Sequence, residues 1–333
     1  MNEAAHRNPE GLLRLLTVML KRTALILTML GSLLVAAPAA NAAYTIGIGD
    51  QDPAMFSNGL WKDLKLKKVR YLTPWNTAKD PGQLAETQGY MNAARAARQE
   101  VLVHFTAVRG CFNDGKYSRS KKCKAPSVSA YTSAFKAFKK QFPYVKVYGS
   151  WNEANHVSQP IRNNPKRAAQ YYTALKKNCK GCKVVAGDLL DSSNLRSYAS
   201  RMNSALKGKA RIWGLHNYAD VNRKRSRGVS TMLKTVPGEV WLTETGGIVS
   251  FAGADGFKPS ESAASRAISY MFSLAAKYDS KLRGNRSRIS RLYPYEFNGA
   301  DTGSRFDAGL LSPDGTPRKG YATFKSKAKR ARR

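Results

Sequence analysis

Between residues 44 and 325, short runs rich in β-branched and aromatic residues alternate eight times with longer stretches. The short runs are Tyr44–Ile48, Lys68–Thr73, Val101–Thr106, Val145–Trp151, Lys183–Gly187, Arg211–His216, Glu239–Thr243 and Ile289–Glu296. Between them, 82–99, 127–142, 165–177 and 262–278 carry apolar residues at helical spacing, such as Tyr131, Phe135 and Phe138. Gly, Pro, Asn and Asp gather at the joins. Strand followed by helix, eight times over about 290 residues, predicts an α/β protein, a (β/α)8 TIM barrel in one domain over 43–325. An open doubly wound sheet ordinarily has a glycine-rich phosphate turn after its first strand. Gly47-Ile-Gly-Asp-Gln-Asp-Pro53 is not one.

The N-terminus reads as a targeting segment. An apolar run of 16 residues, 23–38, follows Lys21-Arg22 and precedes the small-x-small site Ala40-Asn41-Ala42. That order predicts a secretory signal peptide over 1–42, since the run falls short of the roughly 20 residues that span a bilayer. Met19 offers a second start close to the basic pair. The protein is therefore expected outside the cell, in a disulfide-permissive compartment. Its four cysteines, Cys111, Cys123, Cys179 and Cys182, allow three pairings. The local one, 111 with 123 and 179 with 182, is expected, because the barrel topology puts the two pairs at opposite ends. Neither pair has a histidine at zinc-ligand spacing.

Residues 43–333 hold 52 basic and 20 acidic side chains, a net +32. Such a balance suits acidic partners, here cell-wall polymers rather than a specific nucleic acid. Six of the last nine residues are basic, and the segment 326–333 is expected as a solvated tail. A monomer is expected.

Active sites of such barrels lie at the C-terminal ends of the strands. Those ends are polar here: Asp50, Arg70 with Trp75 and Asn76, His104, Asn152-Glu153 with His156, Asp188, His216-Asn-Tyr218, Glu244, and Tyr295 with Phe297. Glu153 after strand 4 and Glu244 after strand 7 would face each other across the barrel mouth. Two carboxyl groups about 5–5.5 Å apart suit retaining glycoside hydrolysis. Aromatic residues at the mouth suit stacking on sugar rings. Arg70 inside a barrel would be costly without a carboxylate partner. Asp50 and Asp188 read equally as subsite residues or turn residues, and His104 equally as a buried structural histidine.

With these residues in view, the chain resembles the glycoside hydrolases of clan A, with families 5 and 39 nearest. Gly149-Ser-Trp-Asn-Glu-Ala-Asn155, Leu242-Thr-Glu-Thr-Gly246, His216-Asn-Tyr218 and Val69-Arg70 carry the resemblance, and Ala308–Arg318 resembles the clan's run into its last helix. The resemblance implies Glu153 as general acid/base, protonated at the outset, and Glu244 as nucleophile. It implies Asn152 on the sugar 2-hydroxyl, Tyr218 beside the nucleophile and Arg70 holding it ionised. It implies a carbohydrate substrate and no metal or organic cofactor. The clan usually ends strand 8 with Trp; Tyr295 or Phe297 stands there in this chain. The alternative function is a non-catalytic barrel that binds carbohydrate or polyanions at the cell surface.

Overall fold

The computed structural model describes residues 44–113, 115–253, 257–280 and 288–331. The leader expected over 1–42 lies outside them. Among the described residues, no helix is long and apolar enough to cross a membrane.

Strand β1 comes in two pieces, Thr45–Ile46 and Ile48–Gly49. The others are β2 (Lys68–Pro74), β3 (Glu100–Thr106), β4 (Val147–Gly149), β5 (Lys183–Leu190), β6 (Ile212–His216), β7 (Glu239–Thr245) and β8 (Ile289–Pro294). All pair in parallel and in chain order. The two pieces of β1 close the ring: Thr45 registers with Arg291 of β8, and Ile48 with Val69 of β2. One helix follows each strand: α1 (Gly59–Leu64), α2 (Pro81–Ala96), α3 (Val128–Gln141), α4 (Pro165–Asn178), α5 (Leu195–Ala205), α6 (Arg227–Thr235), α7 (Glu261–Lys277) and α8 (Lys319–Ala331). A one-turn helix, Tyr218–Asn222, precedes α6. The chain is thus the single-domain (β/α)8 barrel that the alternation predicts.

Local chemistry sets the helix starts. Asp80 before Pro81 accepts from the Gln83 amide, and Asn164 before Pro165 accepts from the Arg167 amide. Ser127 and Ser260 cap α3 and α7 in the same way. Each side chain satisfies an amide that the helix cannot, ordinarily worth about 1 kcal/mol. Between sheet and helices, Phe105 and Tyr148 pack against Phe135 and Phe138 edge to face. Inside the ring, Leu102, Val147, Val185, Trp241 and Tyr293 form an apolar plug. The Arg291 guanidinium lies 4.0 Å over the Trp241 ring and pairs with Glu100, flooring that plug.

Above the plug the interior turns polar. Arg70, His104, Asp188, His216 and Thr243 are all fully buried there. Space for them comes from missing side chains across the ring. A β-carbon at Gly149 would overlap the His104 ring, and one at Gly214 would overlap the Asp188 carboxylate.

Several strand ends differ by a residue or more from the sequence reading, and two of these differences shape the site. β4 stops at Gly149 rather than Trp151, although the chain stays bonded to both neighbours beyond it: the Trp151 carbonyl accepts from the Asp188 amide of β5 and the Asn152 amide donates to the Phe105 carbonyl of β3. β5 runs past Gly187 to Leu190 through an irregularity between Ala186 and Leu189, with Gly187 at φ +71°. This extra residue turns Asp188 into the barrel.

Both local disulfides are formed, Cys111–Cys123 on the β3–α3 connection and Cys179–Cys182 on the α4–β5 connection. The basic tail expected from 326 is not a loose tail. It is the last part of α8, which runs to Ala331, buries Phe324 and Ala328, and pairs Lys325 with Asp63 at 2.9 Å. Its apolar positions recur at helical spacing, and burying them outweighs the repulsion among surface cations. Replacing Ala328 with Asp should therefore lower the melting temperature by on the order of 10 °C, since it puts an unpaired charge in the core. Lys329→Ala, at an exposed position, should shift it by only about 1 °C. Thermal melts of the two variants check this, and equal melts would return α8 to the status of a tail.

Candidate active site

Arg70, projecting inward from β2, holds the site together. Its Nη1 donates to Glu244 Oε2 at 2.8 Å, and its Nη2 donates to Asn152 Oδ1 at 2.6 Å and to Asp188 Oδ2 at 3.1 Å. Its Nε donates to His104 Nδ1 at 3.2 Å. That bond makes Nδ1 an acceptor, so the proton of His104 belongs on Nε2, which stands 2.9 Å from Asp188 Oδ2. Burial pushes His104 down to about 4, so the ring is neutral and fits this tautomer.

His216, at the end of β6, bridges the remaining acids. Its Nε2 lies 3.1 Å from Asp188 Oδ2, and its Nδ1 lies 3.1 Å from Glu153 Oε1 and 3.6 Å from Glu244 Oε2. Burial opposes a charged ring, but Glu244 and Asp188 overcome it, with hydrogen bonds to Asp188 and Glu153, and hold His216 up at about 10. Asp188 stays ionised: burial opposes its charge, and His104 and His216 hold its carboxyl well below the usual range. Thr243 donates to its other oxygen at 2.5 Å.

Glu153 and Glu244 sit above this network with their carboxylates turned to the mouth. Glu153 has φ +45°, in the sparsely populated left-handed region. It is held there from both sides, as the Ala154 amide donates to the Asp188 carbonyl and the His156 amide to the Glu153 carbonyl. Burial raises the Glu153 carboxyl, but the hydrogen bond and charge of His216, then His156 and Arg70, lower it overall. These neighbours favour an ionised Glu153 beside a charged His216, whereas the expectation from sequence has Glu153 protonated at the outset. Tyr218 Oη donates to Glu244 Oε1 at 3.1 Å. Both oxygens of Glu244 are thus held.

Single oxygens of Glu153 and Glu244 and a nitrogen of His216 lie within 4.8 Å of one another. This is the donor set of a metal site. Arg70 and His216 already place positive charge against these carboxylates.

A cavity of about 480 Å³ opens over the two glutamates, within the range of small-ligand sites. Asn152, Glu153, His156, Tyr218, Glu244 and Tyr295 line its polar side, and Ile248, Phe251, Phe257 and Phe306 line an apolar wall. The wall is carried by a small antiparallel pairing of Ser250–Phe251 with Phe306–Asp307. The Phe306 ring meets Tyr218 edge-on at 5.2 Å and Phe251 at 5.9 Å. A second cavity, of about 700 Å³, lies around Phe56, Trp61 and Lys67 at the other end of β2 and has no carboxylate in its lining.

The residues anticipated from sequence divide into three groups. Asn152, Glu153, Tyr218, Glu244 and Tyr295 come together in the cavity, while Arg70 and His216 lie fully buried beneath it. Trp75 and Asn76 are half-buried outside its lining, Trp75 packing on the core. Phe297 is fully buried, with its ring 6.0 Å from that of Trp61, and so cannot touch a sugar. Asp50 is no subsite residue either. It is buried and accepts from the Asp52 and Asn298 amides. Asp188, read as a subsite or turn residue, is instead the buried anion that joins Arg70, His104, His216 and Thr243. The phenylalanine wall and Arg223 were missed. A two-residue pairing between segments some fifty positions apart leaves no periodic trace in sequence.

No protein-family model matches the chain, and no curated protein sequence matches it. Many solved structures share its fold. GH5_18 from Streptomyces cattleya, in complex with GlcNAc, superposes with a TM-score of 0.60 at 14% identity, over 88% of this chain and 81% of that one. A family 39 glycoside hydrolase from the gut symbiont Bacteroides cellulosilyticus WH2 gives 0.55 at 13% identity, over 88% and 64%. A fungal β-1,4-galactanase gives 0.60 at 12% identity, over 85% and 99%. At these identities the shared property is the barrel.

Proposed function

We propose that the protein is a retaining glycoside hydrolase that cleaves a β-linked poly- or oligosaccharide by double displacement. The observation that carries this reading is the unequal dress of two facing glutamates: Glu244 bound by Arg70 and Tyr218, Glu153 bound by His216. An oxygen of one lies within 4.8 Å of an oxygen of the other, and so close an approach supports the retaining reading. The shared fold with glycoside hydrolases of families 5 and 39, and the matching Asn152-Glu153 and Glu244 motifs, support the same reading.

In the first step a Glu244 oxygen attacks the anomeric carbon while Glu153 gives a proton to the departing glycosidic oxygen. That proton reaches Glu153 from His216 Nδ1 across 3.1 Å. Forming the glycosyl ester removes the charge of Glu244. His216 and Glu153 then hold their protons less tightly, and Glu153 becomes the base that deprotonates water in the second step. Asn152, fixed by Arg70 Nη2, presents its amide to the sugar. We also place the protein outside the cell after loss of 1–42. Its two disulfides support an oxidising compartment, and its charge supports retention on acidic wall polymers.

Glu244→Ala and Glu153→Ala should each lose at least about a thousandfold in turnover with the fold kept, roughly 4 kcal/mol of barrier. On a dinitrophenyl glycoside, azide should rescue Glu153→Ala to a glycosyl azide of retained configuration and Glu244→Ala to the inverted one. Product configuration by NMR reads this out, and full activity in either variant would reject the roles.

Histidine NMR gives an independent check. The His216 ring should stay protonated through neutral pH and titrate near 10, while His104 stays neutral down to about 4. The stability His216 contributes is complete below the unfolded value of about 6.5 and drains away as pH rises towards 10. For His104 the loss comes as pH falls from about 6.5 towards 4. A His216 ring found neutral at pH 7 would remove the proton relay.

A further inference from the structure

Next to the catalytic cavity lies a second bay of about 610 Å³ at the same end of the barrel, and arginine dominates its rim. Arg196 comes from the first turn of α5. Arg223 and Arg225 stand on the connection from β6, and Arg227 opens α6. The bay and the catalytic cavity share Asp191, Ser192 and Arg223 in their linings, so the two are continuous. From this continuity we propose that the cleft takes an acidic glycan, whose carboxylate or sulfate groups sit in the arginine bay while a neighbouring glycosidic bond lies over Glu153 and Glu244. The proposal rests on the hydrolase reading and names its substrate class.

Surface cations are common on a chain of this charge, and most are solvated. This group differs in three ways. It is concave, it adjoins the reacting carboxylates, and the four basic side chains lining it are all arginine. The guanidinium fork matches planar carboxylate and sulfate oxygens with paired hydrogen bonds, which a lysine ammonium does not.

The acidic groups facing the bay are largely occupied. Asp220 accepts from the Gly228 and Val229 amides at 3.0 and 2.8 Å and lies 3.8 Å from Arg225 Nε. That nitrogen has no hydrogen-bond partner among the described residues. Asp191 accepts from the Ala219 and Asp220 amides, and burial pushes its carboxyl up to about 7, so it repels an anion only in part at neutral pH. The field at this end of the cleft is therefore positive, and the net +32 of residues 43–333 would steer polyanions towards it.

The test is kinetic, on the secreted protein, with matched sets of oligosaccharides: neutral xylo- and cello-oligomers, their glucuronate-substituted counterparts and their sulfated counterparts. Wild type is compared with Arg225→Ala/Arg227→Ala and with Arg225→Lys/Arg227→Lys, which keeps the charge and removes the fork. Calorimetry on Glu244→Gln measures binding without turnover. The expected result is kcat/KM at least about tenfold higher on one acidic set than on the neutral one, expressed through KM and weakened by salt. That ratio should fall towards one in the alanine variant and part of the way in the lysine variant. Which acidic set responds tells carboxylate from sulfate. Equal turnover of neutral and acidic sets, unchanged by the variants, overturns the acidic substrate and leaves the hydrolase standing. Arginine-dependent binding of acidic oligomers with no turnover of any set overturns the hydrolase and leaves the bay. Neither turnover nor binding overturns both.

Discussion

Arg70 is a permanent cation with no exposure to solvent, and the upper half of the barrel is arranged around that fact. A buried charge of this kind costs several kcal/mol unless it is paired and hydrogen-bonded on every side. Asp188, Glu244 and Asn152 meet its terminal nitrogens, and His104 meets Nε. These partners come from four other strands or their ends, so one guanidinium ties together most of the circumference. Gly149 and Gly214 are the complement of the same arrangement, since the room their absent side chains leave is taken by His104 and Asp188.

The chemistry inherits its asymmetry from that pairing. Arg70 holds Glu244 directly and reaches Glu153 only through its longer-range charge and through Asn152. His216 stands between the two acids, held charged against its burial by Glu244 and by Asp188 below it. Three carboxylates and two cations occupy the site, so a single further proton brings it to neutrality, and Glu153 is the member of the set best placed to receive it. The unequal surroundings of the two glutamates thus follow from which neighbour each acid touches.

Much of this was legible in the residues, for reasons that are physical. The strands are short β-branched runs with polar closing residues, so both their number and the facing of Glu153 and Glu244 follow from periodicity. The cysteine pairs were legible because each is closed by a local loop. What escaped depends on contacts that no period encodes. Asp188 points inward only because β5 gains a residue at Gly187. Phe297 leaves the mouth because Trp61 offers it an apolar partner. The wall of Phe251 and Phe306 needs two distant loops to meet. The basic C-terminus was misread because its charge masks Tyr321, Phe324 and Ala328, whose spacing marks the buried face of α8.

The seam of the ring joins the two ends of the barrel sequence. Thr45 meets Arg291, Tyr321 donates to the Leu60 carbonyl, and Lys325 pairs with Asp63. Contacts of such long sequence separation form late, because closing a loop of that length must precede any gain from it. As the chain emerges from the ribosome, the first strand has no partner on one side until almost every residue has been made. The buried Arg70 cluster, drawn from β2 to β7, is complete in sequence before β8 begins. A ring sewn between its first and last strands therefore keeps its seam open until β8 exists, after every partner of Arg70 has already been made.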